Sequence, residues 1–379
     1  MIQSTFVYFI SILFMLSLAI KYRSYGYERI KLGHFTVVIF ILYYVLLCGL
    51  RFDVGVDYMT YFSEYSAVKY YMSHESYQFE PGWSWFTWIL SRNDVHFTIY
   101  FSIIAFVQIF FLVGAFRDYP KLFPYMVLAL FLGGYFIGFQ NVIRQNIVMC
   151  VFLFLVMRKQ DASFFRYVLV ALACSFIHKS SIIMVLCYLV IRYFKFNIDR
   201  KVILCGLFLL CVLVGYKIDL FTIVTSNIGV LQFISGTSYD VYLHGDNLAM
   251  GTDKTMGIGY FLRVLVDLML IYSGGKAYKT LGDNSGYPIW FRLFYLGTCL
   301  HYLFPTSRVL GRPILYLTFF TIPVLASYFY FLVCRVKRFP LLSIGHVFTF
   351  VVLFLLFVIN HIISPVGNMA EYHFWWEYY

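Results

Sequence analysis

The chain has 379 residues, 61% of them hydrophobic and 12% charged, and its 29 Lys and Arg against 18 Asp and Glu give a net charge of +11. Its longest polar stretches run to only about 40 residues, which excludes a separate soluble domain. In so apolar a chain the basic excess records membrane topology and excludes nucleic acid as a partner. The eight cysteines sit mostly inside apolar runs without CxxC spacing, so they read as packing rather than as metal or disulfide sites.

A helix needs about 20 apolar residues to cross the hydrocarbon layer, and runs of that length or near it recur along the whole sequence. They predict an all-α, polytopic integral membrane protein, a single transmembrane domain over 1–379. Residues 5–20 show no basic n-region or small-residue cleavage site and are read as a retained first helix. Further helices are expected near 35–50, 95–116, 122–139, 142–157, 167–177, 181–191, 202–216, 257–273, 287–304, 309–333 and 341–363. That makes about twelve crossings.

The lysines and arginines orient them. Connections 21–34, 117–121, 158–166, 192–201, 274–286 and 335–338 together hold 18 Lys and Arg, and the opposite set of segments holds nine. The positive-inside rule therefore places both termini outside. Keeping this bias requires residues 166–194 to be two short helices, broken at Phe176-Ile177-His178-Lys179-Ser180-Ser181. Non-helical backbone at membrane depth is tolerated only where protein or a watery cavity surrounds it. The break is thus expected to face a site, with His178 and Lys179 at or below the outer surface.

Two outer-face loops, about 51–94 and 217–256, carry the remaining polar chemistry. The first opens with Arg51, Asp53, Gly55, Asp57, Tyr58 and Tyr61. It continues through Glu80-Pro81-Gly82 into an aromatic amphipathic stretch, Trp83–Leu90, expected to lie in the interface. Arg144-Gln145 stands at the outer mouth of a helix, and Arg308 and Arg312 flank Gly311 after the break at Pro305. Basic residues on the side that should be poor in them suit phosphate, which the rigid guanidinium fork matches. Interfacial snorkelling is the alternative for each one taken singly. Arg263 and Asp267, four apart within a span, are expected to pair with each other or with a neighbour. No metal-ligand spacing and no P-loop occurs, so neither a metal nor a cofactor is expected.

These elements, in this order, resemble the EpsG-like branch of the Wzy-type polysaccharide polymerases. The resemblance rests on Arg51-x-Asp53-x-Gly55-x-Asp57-Tyr58-x-x-Tyr61, Glu80-Pro81-Gly82, Arg144-Gln145 and the segment from Phe176 to Ser181, and covers most of the first half. It implies a membrane glycosyltransferase that moves a growing glycan from undecaprenyl diphosphate onto a lipid-linked repeat unit, outside the cytoplasmic membrane. The partners are then donor and acceptor lipid-linked oligosaccharides, membrane lipids and a chain-length regulator. On this reading Asp57, Glu80 and His178 are candidates for the base and Arg144 acts with them. Arg51, Asp53, Tyr58, Gln145, Lys179, Arg308 and Arg312 would contact diphosphate or sugar. The alternative is a transporter of lipid-linked oligosaccharide, which a broken helix and a cationic cavity would also suit.

Overall fold

The computed structural model describes residues 2–70, 79–158, 163–218, 220, 257–282, 285–305, 308–338, 344–359 and 371–378. Among them the regular elements are all helical, as composition predicts, and a single antiparallel β-bridge joins Arg51 to Phe374. In chain order the helices are α1 (Ile2–Ser24), α2 (Phe35–Gly49), α3 (Tyr58–Val68), α4 (Pro81–Arg92), α5 (Phe97–Ala115), α6 (Phe123–Leu132), α7 (Tyr135–Asn141) and α8 (Ile143–Arg158). They continue with α9 (Phe164–Ser175), α10 (Ile183–Tyr193), α11 (Lys201–Lys217), α12 (Ile258–Leu281), α13 (Tyr287–Leu303), α14 (Arg308–Thr318), α15 (Thr321–Arg338) and α16 (Ile344–Val358).

Four helical runs are long and apolar enough to span a bilayer: Gln3–Ser24, Phe97–Ala115, Ile258–Leu281 and Leu310–Cys334, the last made up of α14 and α15. A fifth span results if the bent pair α6–α7 is taken as one. The other described helices are shorter or more polar than a full span requires. The expected break in 166–194 is present, with a 3₁₀ turn at Lys179–Ile182 between α9 and α10.

The chain forms two compact units, Met1–Tyr188 with Leu325–Tyr379, and Leu189–Val324. Within the first, polar contacts gather at two ends. At one end Asp118 forms an ion pair with Arg29 at 3.2 Å and also pairs with Arg158, while Ile30 N–H donates to the Arg117 carbonyl. These residues all belong to connections that the charge count assigns to the inside. At the other end the start of α1 meets the C-terminal residues, through Tyr372 N–H donating to Ser4 Oγ at 2.9 Å. Those residues also bond Leu50 and Phe52 just past α2, through Trp375 N–H to the Leu50 carbonyl and Phe52 N–H to the His373 carbonyl. Both termini therefore share the end that carries Arg51.

Three features of this end differ from expectation. Residues 58–68, read from sequence as loop, form α3. Its Tyr58, Tyr61, Tyr65 and Val68 join Phe52, Trp83, Tyr100, Phe101, Ile143 and Ile147 in one buried aromatic cluster. Helix α4 turns Trp83 inward, leaving Trp85 and Ile89 exposed. Its inward Ser84 and Ser91 donate to the Phe79 and Tyr65 carbonyls, so this polar face is satisfied inside the protein. The run 122–139 is bent by 65° at Gly133-Gly134, where Gly134 takes φ +78°, a conformation that favours glycine. The carbonyls freed around α7 are met by buried amides. Gln108 Nε2 donates to Phe139 and Ile143, and Asn146 Nδ2 to Gly138 and Val142. A break in an apolar layer requires such substitutes for lost helical bonds.

In the second unit Gly215 and Gly297 bring helices close: a Cβ at either would collide with the Tyr302 carbonyl or with the Leu317–Thr318 backbone. Asp267 is buried and accepts from the Tyr302 hydroxyl at 2.9 Å, the neighbour its position in a span calls for.

Candidate active site

Glu80, with extended backbone, is the N-cap of α4, and Pro81 takes the first helical position. Next to it Gly82 lets this helix start approach the α9–α10 break, since a Cβ there would lie 2.8 Å from the Phe176 carbonyl oxygen. Trp83 N–H donates to that same oxygen at 3.1 Å. The Glu-Pro-Gly triplet thus supplies a carboxylate, a helix start and the room for one backbone to touch another.

Three segments meet on the Glu80 carboxylate. Oε2 pairs with an Arg144 guanidinium nitrogen from the start of α8. Oε1 accepts from Lys179 N–H at 3.0 Å and lies 3.2 Å from His178 Nδ1. The Arg144 guanidinium also lies 3.9 Å from the Phe79 ring centroid, and its Nε donates to the Tyr61 hydroxyl at 3.5 Å. Glu80 and His178 are each 7% exposed. Burial pushes the Glu80 carboxyl up, but the bonds from His178 and Lys179 and the Arg144 charge outweigh it and hold the group at about 2. An ionised Glu80 only accepts, so His178 Nδ1 carries the proton. His178 Nε2 is buried and has no hydrogen-bond partner among the described residues.

A carboxyl depressed in the folded state stabilises it above the unfolded value of 4.5, and that contribution fades as pH falls toward 2. Melting of wild type against Glu80→Gln should therefore show a gap of about 2 to 3 kcal/mol at pH 6–7 that shrinks steadily below pH 4.5. A gap independent of pH would mean that the carboxylate charge is not what Arg144 and His178 stabilise.

The other sequence candidates fall in different places. Arg51 is 2% exposed and donates to the Gln140 carbonyl at 2.8 Å, while Tyr58, fully buried, donates its hydroxyl to the Arg51 carbonyl at 3.1 Å. Asp53 sits at φ +51° and Gly55 at φ +105°, packed on the Gln140 carbonyl. Asp57 is half-buried and its N–H donates to Asn141 Oδ1 at 3.0 Å. This first motif thus folds onto α7, while Glu80, Arg144, His178 and Lys179 come together around a carboxylate. Gln145 is buried one position after Arg144. Arg312 is on α14 of the second unit, and the side chain of Arg308 lies outside the described residues, as does nearly all of loop 217–256. The sequence reading missed Tyr61 and Phe79 as partners of Arg144, and Gln140 and Asn141 as the seat of the first motif. An asparagine and a glutamine ending an apolar run were the signal available.

The model of the EpsG family matches residues 34–378. The chain belongs to the EpsG family. No curated protein and no solved structure matches it. The family match covers the second half, which resembled such proteins only in hydropathy, along with all four motifs. Membership makes this EpsG protein a membrane protein of the polysaccharide-polymerase type, the EpsG-like Wzy-type polymerases.

Proposed function

We propose that this EpsG protein transfers a growing glycan from undecaprenyl diphosphate onto the non-reducing end of a lipid-linked repeat unit. It would do so at the outer face of the cytoplasmic membrane, in a frame of twelve crossings with both termini outside. The observation that carries the reading is the meeting of Glu80, Arg144 and His178 from three separate segments. His178 receives the acceptor proton on Nε2 as the hydroxyl oxygen attacks the anomeric carbon, and the bond to diphosphate breaks with its electron pair on the leaving oxygen. Glu80 fixes the tautomer and stabilises the imidazolium, much as the acid of a hydrolase triad does. Arg144 holds Glu80 in place, and the exposed Lys179 side chain offers charge to the diphosphate. Glu80 itself is a poor base at neutral pH, because three donors already hold its proton off.

Purified protein incubated with a lipid-linked repeat unit should produce a glycan ladder. A transporter of the same lipid would move it across a vesicle and yield no ladder, which would overturn the reading. Orientation has its own test, motivated by the grouping of 29, 117, 118 and 158 at one end of the first unit. Single cysteines at Ser76 and Ser235 should react with an impermeant maleimide on intact cells, and one at Ser163 should stay protected. Labelling at Ser163 would put the site on the cytoplasmic side.

A further inference from the structure

Beneath the 51–58 segment the first unit buries a cation that no described carboxylate pairs with. Among the described residues no Asp or Glu forms an ion pair with Arg51. Its guanidinium lies 5.4 and 5.6 Å from the ring centroids of Tyr58 and Phe101, and its Nε–H is buried without a hydrogen-bond partner among the described residues. Tyr8 and Tyr44, both fully buried, each pack edge-on to Phe136 at 6.0 Å, one turn before Gln140 on α7. Tyr8 also packs edge-on to Tyr372 at 6.2 Å, and the Tyr372 hydroxyl donates to the Leu47 carbonyl, four residues before Arg51. Among the described residues Tyr8 Oη has no hydrogen-bond partner, and Tyr44 Oη has only the Cys48 thiol beside it. The Gln140 amide is 1% exposed and makes no hydrogen bond to a described residue through its nitrogen or its oxygen, whereas Gln108 and Asn146 spend theirs on the broken helix.

Each of these groups is costly to bury unsatisfied, and the unneutralised guanidinium most of all. What they share is an N–H or O–H to give. Water would accept from them but would leave the positive charge standing. A lipid diphosphate is excluded by size, since Arg51, Gln140, Tyr8 and Tyr44 are all sealed from the surface. We propose that Arg51, Gln140, Tyr8 and Tyr44 hold a small inorganic anion of the halide class inside the first unit. The ion would tie α1, α2 and α7 together under the segment that Phe374 bridges and Asn141 seats.

The test uses the purified full chain and does not depend on polymer formation, so it can fail while the polymerase reading stands. Melting is followed at constant ionic strength as sodium gluconate is replaced by chloride or bromide. The expected result is a saturable rise in Tm whose half-saturation moves about fivefold higher in Tyr8→Phe, the effect of one lost hydrogen bond. Gln140→Glu, which brings its own negative charge, should melt alike in either salt. Crystals in bromide should show an anomalous peak within hydrogen-bond distance of Arg51 Nε. Melting indifferent to halide, with no bromide peak beside Arg51, would mean that only water is held there and would overturn the proposal. A rise in Tm that both variants leave unchanged would place the ion elsewhere and overturn it equally.

Discussion

His178→Ala is expected to abolish polymer formation while leaving the melting temperature within a few degrees of wild type. General-base catalysis contributes on the order of 10²- to 10⁴-fold, enough to remove a visible glycan ladder. The structural cost is small because the imidazole makes one hydrogen bond, to Glu80, and a net bond of that kind is worth about 1 kcal/mol. Glu80 keeps Arg144 and the Lys179 N–H in the variant. His178 also stands at the N-cap of the Lys179–Ile182 turn, but its side chain makes no cap bond, so alanine can hold that backbone. Turnover per folded molecule and Tm are measured together. A variant that melts far below wild type yet polymerises normally per folded molecule would make His178 a packing residue and leave the base unassigned.

How much of this was legible in the sequence depends on the range of the interaction. Helix placement follows from local apolarity, and most of the expected segments are present to within a few residues. The split at 176–181 was also readable, because one long helix would have carried Arg192, Lys195, Arg200 and Lys201 to the wrong side. The bend at Gly133-Gly134 was not, since two glycines barely lower the hydropathy of an 18-residue run and a broken span still looks continuous. Helix α3 was hidden for the opposite reason. Its polar surface residues Thr60, Glu64 and Ser66 read as loop, while the tyrosines between them are the buried face. The pairings of Glu80 with residues 64 and 98 positions away could be given only as a shared outer end. A linear sequence shows which charges reach one surface, and packing decides which of them touch. The same limit explains why Arg51 and Arg144 looked alike from sequence. One reaches a backbone carbonyl beneath buried rings, and the other holds a carboxylate beside a histidine.

Arg144→Lys keeps the positive charge and is nonetheless expected to lower polymerase activity by at least tenfold, about 1.4 kcal/mol or more. The guanidinium does three things at once: one nitrogen pairs with Glu80 Oε2, Nε donates to Tyr61, and the plane lies over Phe79. An ammonium can reach one of these partners and has neither the fork nor the flat face for the others. With Tyr61 released and Phe79 no longer covered, the Glu80 carboxylate gains freedom to rotate away from His178. The proton on Nδ1 then loses its fixed acceptor, and the basicity and aim of Nε2 go with it. The loss should therefore appear chiefly in kcat, with KM for the lipid-linked acceptor nearly unchanged, because Arg144 acts through Glu80 and His178. In the double variant Arg144→Lys with His178→Ala, Arg144→Lys should add little to the loss that His178→Ala already causes. Activities that instead multiply, or an Arg144→Lys protein whose KM rises tenfold at constant kcat, would show that this arginine binds substrate directly and that its bond to Glu80 is incidental.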